Sequence, residues 1–261
     1  MQKPIVIFDS GIGGLSIYQE VKKKLPGLPI VYCSDNEGFP YGPRPEDEVV
    51  DRTLHCLEKL ANQYQPSLAI IACNTASTIS LPRARNLLDI PVVGVVPAIK
   101  PAGVASKNGC IGLLATPGTV KRKYTDQLVR DFANHCEVVR VGSSELVQLS
   151  EDHLRGKAVS LKAIKDIISP FFSGKQQPDC IVLGCTHFPL VKELLEEASP
   201  LPVRWVDSGE AIARRVDSLL ERKDIEDRGK SDIFVYSGDQ NTVEGLEPAL
   251  KKLGFKEVRE L

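Results

Sequence analysis

The sequence predicts an α/β fold of two related halves, each a mostly parallel sheet flanked by helices. Three observations point there. Short apolar runs alternate with amphipathic stretches, the pattern of βαβ units. These runs fall into two sets of four at similar spacing. One segment is also written twice: Pro66-Ser67-Leu68-Ala69-Ile70-Ile71-Ala72-Cys73-Asn74-Thr75 is answered by Pro178-Asp179-Cys180-Ile181-Val182-Leu183-Gly184-Cys185-Thr186-His187. Each copy is a proline, an apolar run, a small residue, a cysteine and a polar pair.

The first set of predicted strands covers residues 4–8, 30–33, 68–72 and 92–95, and the second 110–115, 138–141, 181–184 and 203–206. Runs this apolar read as strands buried on both faces, the environment of a parallel sheet. Helical periodicity marks 15–25, 48–60, 120–132, 161–168 and 190–198. The period of the duplication is too long for a solenoid. The halves break near Val96-Pro97-Ala98. After residue 206 come Asp207-Ser208-Gly209, a helix-like run to Leu220, a charged stretch over 221–230, a strand at 233–236 and a helix at 243–253. The charged stretch reads as a solvated loop. The tail is expected to rejoin the first half. That gives one domain of 1–97 plus 208–261, a second of 98–207, and a site in the cleft between them.

Composition narrows the function. The chain has 261 residues, 42% hydrophobic and 26% charged, ordinary for a soluble globular protein. Its net charge of −1 speaks against a general nucleic-acid or membrane partner. No apolar run has the length of a membrane span, and Ile5-Val6-Ile7-Phe8 is cut short by Asp9, unlike a signal peptide. Seven cysteines, an odd number without a CxxC pair, suit a reducing cytoplasm. No metal-ligand spacing is present and no lysine sits in a pyridoxal motif, so neither metal nor cofactor is expected.

The candidate chemistry gathers at strand ends, where an open α/β sheet presents its ligand site. Cysteine is usually a small buried hydrophobe, and Cys33, Cys56, Cys110, Cys136 and Cys180 read that way. Cys73 and Cys185 differ, because each ends its strand just ahead of polar residues that suit a helix start. A thiol near a helix N-terminus is readily ionised. Matched cysteines on duplicated halves suggest a reaction needing paired acid/base groups. Phe8-Asp9-Ser10-Gly11-Ile12-Gly13-Gly14 is a strand running into a Gly-rich turn. It lacks the order of the nucleotide-binding loops, so carboxylate binding is the better reading. Asp9 serves as a turn residue, or it orients or deprotonates a nearby thiol; the matching positions of the second half are Ala115 and Thr116. His187 caps a helix or tunes Cys185. Glu151, in Ser150-Glu151-Asp152-His153, reads as a charged helix start. Pro40-Tyr41-Gly42 reads as a turn overhanging the strand ends.

Taken together, Phe-Asp-Ser-Gly-x-Gly-Gly at 8–14, Pro-Tyr-Gly at 40–42, Ala-Cys-Asn-Thr-Ala-Ser at 72–77 and Gly-Cys-Thr-His-Phe-Pro at 184–189 resemble the glutamate racemase family. Asp207-Ser208-Gly209 also fits, and the resemblance spans essentially the whole chain. It implies that Cys73 and Cys185 are the two acid/base residues. It implies that Asp9 and Ser10 border the substrate. Tyr41, Gly42, Asn74, Thr75, Thr186 and His187 would hold its carboxylates and ammonium group, with His187 assisting Cys185. Glu151 corresponds to a family glutamate that contributes to the site, although the motif around it is less proline-rich here. The resemblance further implies L- and D-glutamate as substrates, a homodimer, and supply of D-glutamate to a bacterial cell wall. Some relatives carry an N-terminal extension linked to activation by a cell-wall precursor; this chain, beginning just before its first strand, is expected to lack it.

Inverting an α-carbon without a cofactor needs a thiolate on one face and a thiol on the other, with roles exchanged in the reverse direction. Rival readings remain at this level. An aspartate racemase, or an isomerase or decarboxylase using one cysteine, has similar architecture. A cysteine hydrolase built on Cys185 and His187 leaves Cys73 unexplained. A binding protein closing on an acidic amino acid needs neither thiol.

Overall fold

Residues 3–220 and 231–261 are described by the computed structural model of the chain. The stretch 221–230, read above as a solvated loop, lies outside the described residues. The chain divides into two compact units, one formed from Met1–Val95 with Gly209–Leu261, the other from Val96–Ser208.

The first unit begins with β1 (Ile5–Asp9), α1 (Leu15–Lys24), β2 (Ile30–Ser34), α2 (Glu46–Tyr64), β3 (Leu68–Ile71), α3 (Asn74–Leu87) and β4 (Val92–Gly94). Every residue of β1, β2 and β3 is buried, as the unbroken apolar runs require. The second unit holds α4 (Ile99–Ala105), β5 (Cys110–Ala115), α5 (Pro117–Lys121), α6 (Lys123–Phe132), β6 (Glu137–Gly142), α7 (Glu145–Leu154), α8 (Leu161–Ile168), β7 (Cys180–Leu183), α9 (Lys192–Ala198) and β8 (Arg204–Val206). The chain then returns to the first unit with α10 (Gly209–Leu219), β9 (Asp232–Tyr236), α11 (Glu247–Leu253) and β10 (Phe255–Glu260).

Both sheets are parallel throughout their described pairings. The first has the order β10-β9-β2-β1-β3-β4 and the second β6-β5-β7-β8. Four strands of the first sheet, β2-β1-β3-β4, thus repeat the whole order of the second. In each unit the chain moves to one side of the central strand and then to the other. The crevice at such a switch point, beside the carboxyl ends of the strands, is where open α/β sheets bind ligands. Cys73 and Cys185 follow β3 and β7, the equivalent strands across the switch.

The tail locks onto the first sheet through β9, which pairs with β2. Aromatic rings fill the seam: Tyr32 stacks on Phe234 with centroids 5.3 Å apart, and Tyr18 on Phe255 at 4.5 Å. The Tyr18 hydroxyl donates to Asp232 Oδ2 at 2.7 Å.

Several features differ from the sequence expectation. The last strand, β10, was not expected, because Phe-Lys-Glu-Val-Arg-Glu is charge-rich and only Phe255 is buried. Charged side chains are how an exposed edge strand is kept from pairing further. The single helix expected over 120–132 is two, broken at Arg122, whose backbone is extended. The Thr125 hydroxyl takes the Thr119 carbonyl at 2.6 Å, an acceptor that a continuous helix would offer to a backbone N–H. Glu151 does not start a helix. It is the seventh residue of α7, and the Ser143 hydroxyl upstream caps that helix by accepting from Leu146 N at 3.0 Å.

A buried ion pair braces the loop after β2. Asp35 is fully buried and accepts from Arg52 of α2 at 2.7 and 2.8 Å, from the Tyr41 hydroxyl, and from the Ser237 hydroxyl. Burial alone would raise the Asp35 pKa, but Arg52, Ser237 and Tyr41 outweigh it and hold the carboxyl below its ordinary value. Asp35→Asn keeps the shape and removes the charge. The change weakens the hydrogen bonds that Arg52, Tyr41 and Ser237 make to a charged acceptor, so the urea midpoint of the variant should fall clearly. Because the folded pKa is depressed, this stabilisation is complete above the ordinary aspartate range and is lost as pH falls through the folded value. The variant's acid limb should therefore be flatter than that of the parent. A midpoint equal to the parent's would show the pair to be energetically neutral.

Candidate active site

The half-site of the first unit is built where β1 and β3 end side by side. Ala72 N donates to the Phe8 carbonyl at 2.7 Å, which sets the ends of the two strands level. A side chain on Gly14 would bring its Cβ within 2.8 Å of Ala72 Cβ and 2.9 Å of Tyr32 Oη, so glycine is required in this turn. Cys73 then caps α3, its Sγ accepting from Ala76 N at 3.5 Å. A backbone N–H at a helix N-terminus favours an anion, so the cap suits a thiolate.

Asp9, Ser10 and Cys73 meet here. The Ser10 hydroxyl donates to Asp9 Oδ1 at 3.1 Å and lies 3.6 Å from Cys73 Sγ. Gly11 N also donates to Asp9 Oδ1, at 3.1 Å. Asn74 and Thr75 open α3 and are each 4% exposed. The Asn74 Nδ2 donor has no hydrogen-bond partner among the described residues, which is costly for a buried amide unless a ligand supplies an acceptor. Tyr41 is buried with its hydroxyl on Asp35, and the neighbouring Gly42 is half-buried.

In the second unit the same backbone geometry recurs. Gly184 N donates to the Leu114 carbonyl at 2.7 Å, the counterpart of Ala72 on Phe8. Asp35 N donates to the Asp9 carbonyl at 2.9 Å and Ser143 N to that of Ala115 at 2.9 Å, which aligns Asp9 with Ala115. A Cβ on Gly184 would stand 2.9 Å from Leu113 Cδ1. With Ala115 in the acid's place, Cys185 is served differently. Its Sγ lies 3.8 Å from His187 Nδ1, and His187 Nε2 lies 2.8 Å from Glu151 Oε1. Thr186 is buried beside them.

Glu151 reaches His187 because Leu146, Val147, Ser150 and Glu151 form the buried face of α7, which packs on the 188–191 turn. Arg155, four residues on, donates to the Glu151 carbonyl at 3.2 Å and pairs with Glu151 Oε2. Burial works against a charged His187, but Cys185 and Glu151 outweigh it and its pKa stands well above the ordinary value. Burial likewise opposes a charged Glu151, and His187 and then Arg155 bring its pKa below the ordinary value. Both shifts favour an imidazolium held by a carboxylate next to Cys185. Arg155 was not among the sequence candidates, although the Glu–Arg spacing of four on a helix signals such a pair.

The remaining thiols are of another kind. Burial pushes the pKa values of Cys110, Cys136 and Cys180 up. That of Cys33 is raised first by its contact with Cys56 and then by burial. Protonated thiols in such surroundings are poor acids and bases. Among the described residues no group of three or more His, Cys, Asp or Glu is placed to hold a metal ion.

Comparison with known proteins bears on this arrangement. A model of the Asp/Glu/hydantoin racemase family matches residues 10–216. Glutamate racemase of Escherichia fergusonii is 47% identical over 258 residues, covering 98% of this chain and 90% of that protein. The crystal structure of Escherichia coli glutamate racemase in complex with L-glutamate and the activator UDP-MurNAc-Ala superposes with a TM-score of 0.94. Its sequence is 47% identical, and the match covers 99% of this chain and 98% of the other. Glutamate racemase isoform RacE1 of Bacillus anthracis has a TM-score of 0.83 at 29% identity, covering 98% and 96%. With the family model, the high-identity relatives and the fold all in agreement, this chain belongs to the Asp/Glu/hydantoin racemase family.

Proposed function

We propose that this protein is a glutamate racemase that inverts the α-carbon by proton transfer between Cys73 and Cys185, without a cofactor. One observation carries the reading: two equivalent strand ends each deliver a cysteine, and each cysteine has its own means of supporting a negative sulfur. For Cys73 it is the Ala76 N–H at the start of α3. For Cys185 it is the imidazolium of His187. The substrate follows from kinship with curated glutamate racemases at 47% identity over 98% of the chain.

In one direction the Cys185 thiolate removes the α-proton while the Cys73 thiol delivers a proton to the opposite face. The products are a Cys185 thiol and a Cys73 thiolate, the starting state for the reverse direction. Negative charge develops on the α-carboxylate in between, so donors must already be in place around it. The unsatisfied Asn74 amide is one such donor, with Thr75, Thr186 and Gly42 beside the cysteines or in the neighbouring loop. Asp9 and Ser10 supply oxygens for the ammonium group. Tyr41 acts through the Asp35-braced loop that carries Gly42.

We further infer that the product D-glutamate feeds peptidoglycan synthesis, and so cell shape, in the bacterial cytoplasm, with the enzyme acting as a homodimer. Kinship with bacterial glutamate racemases supports this setting. Among the described residues no helix is long and apolar enough to cross a membrane.

Proton NMR of L-glutamate and of D-glutamate in D₂O, without added cofactor, tests the activity. Loss of the α-proton signal from both, with convergence on a racemic mixture, is expected; no exchange with either enantiomer would reject it. Cys73→Ala and Cys185→Ala should each abolish racemisation while glutamate still binds. Near-normal turnover by either variant would end the two-base mechanism.

His187→Asn should lower kcat more than it raises KM, and its stability deficit should depend on pH. His187 has a raised folded pKa, so its stabilisation is full below the ordinary value of 6.5 and is lost as pH rises through the folded value. Glu151 has a depressed one, so its share is full above 4.5 and is lost as pH falls through the folded value. Thermal melts should therefore show the largest deficit between about pH 4.5 and 6.5. A deficit constant with pH would mean that the pair is not charged.

A further inference from the structure

The chain of groups behind Cys185 does not stop at Glu151. Glu151 and His187 side chains are both only 4% exposed, and Arg155 is 18% exposed at the end of α7. A carboxylate bound at one oxygen turns about its last torsion, and a buried imidazole follows it. Here the two oxygens are divided. Oε1 faces His187 Nε2 at 2.8 Å, and Oε2 is taken by Arg155 Nη1. The same Nη1 lies 3.2 Å from the Glu151 carbonyl, so guanidinium and carboxylate are tied to one turn of helix. Along Arg155, Glu151, His187 and Cys185 the charges alternate in sign when the sulfur is a thiolate.

We propose that Arg155 is a positioning residue for the Cys185 half of the reaction: by holding Glu151 Oε2 it presents Oε1 to His187 Nε2 and so keeps Nδ1 aimed at the Cys185 sulfur. The proposal rests on Cys185 being one of the two acid/base residues. Arg155 acts through Glu151, whose carboxylate stands between it and His187. A plain structural role would be different. Arg155 also sits at the C-terminal end of α7, where a cation complements the helix dipole and caps a carbonyl. That role needs a positive charge near the helix end and has no bearing on one cysteine over another.

The two roles separate in a measurement that uses both cysteines of the same molecule. The rates at which Cys73 and Cys185 are alkylated by iodoacetamide are followed by peptide mass spectrometry in the parent, Arg155→Gln and Arg155→Lys. Alkylation follows the thiolate fraction. Arg155→Gln should slow Cys185 several-fold and leave Cys73 unchanged, and Arg155→Lys should restore Cys185, because a lysine at this position retains a donor for Oε2. In turnover with glutamate, Arg155→Gln should lower kcat about tenfold with KM within about twofold, the pattern of a misplaced acid/base group rather than lost binding. Added to Glu151→Gln, it should cause no further loss, since its effect passes through that carboxylate.

Equal slowing at both cysteines, or losses that multiply in the double variant, would reduce Arg155 to a helix cap and overturn the proposal. So would parent-like rates in Arg155→Gln. Should Arg155→Gln not fold, Arg155→Lys decides: Cys185 alkylation close to the parent supports the proposal, and a loss as large as that of Glu151→Gln overturns it. Alkylation needs no turnover. A selective effect on Cys185 in a protein that does not racemise glutamate would thus reject the function while leaving the positioning role in place.

Discussion

The chemistry of both halves depends on the register of one strand against its central neighbour. The hydrogen bonds from Ala72 to Phe8 and from Gly184 to Leu114 end β3 and β7 at the same height on their sheets. One residue later, the cysteine leaves the strand. A one-residue slip in a sheet turns every side chain to the opposite face. It would bury the thiols among helices and bring Ala72 or Gly184 to the site. The small residues before the cysteines belong to the same constraint, since Ala72 passes the Gly14 turn and Gly184 passes Leu113 at close range. Strands buried on both faces hold this register firmly, because any slip exposes or overpacks apolar surface.

On that shared backbone the two halves solve one electrostatic problem differently. A buried sulfur anion is costly unless donors or a cation compensate it. The first unit uses the backbone N–H of Ala76 at a helix start, with the Ser10 hydroxyl turned to the Asp9 carboxylate. The second has alanine where the first has Asp9, and carries a cation, His187, where the duplicated motif of the first has Thr75. That cation brings its own requirement, since His187 is 3% exposed and must itself be stabilised. Glu151 meets it, and Arg155 in turn neutralises Glu151. In the proposed mechanism the thiolate alternates between two unlike environments, so the balance between them would set how the enzyme rests between turnovers.

Much of this was legible in the sequence, for definite reasons. Doubly buried strands leave unbroken apolar runs, so the two sets of four strands could be read from the chain. The cysteines stood out because the same run ended the same way twice. Other features follow from tertiary choices that leave weaker traces. The extended residue at Arg122 depends on a hydroxyl six residues from its acceptor. β10 looks like a charged tail because an edge strand is chosen for repelling further strands. Glu151 lies inside α7 rather than at its start, because Ser143 caps the helix and Ser150 back-bonds to Leu146. Asp35 gave no signal at all, since its partners come from α2, from the loop and from the residue that follows β9.

These less legible parts share a physical character. Asp35 and Glu151 are both buried carboxylates with lowered pKa values, each on an arginine and each holding a group that belongs to the site or its loop. Replacing such pairs with apolar residues often costs a fold little. Hydrophobic contacts, however, leave a side chain free to turn about its last torsion, and a hydrogen-bonded ion pair does not. The apolar duplication therefore places the cysteines to within a residue, and the buried charges fix the orientation of what surrounds them. A fold of this class can keep its core pattern while its chemistry changes, provided the carboxylates behind the site change as well. Ala115 in the place of Asp9, with Glu151 and His187 serving Cys185 instead, has that form within a single chain.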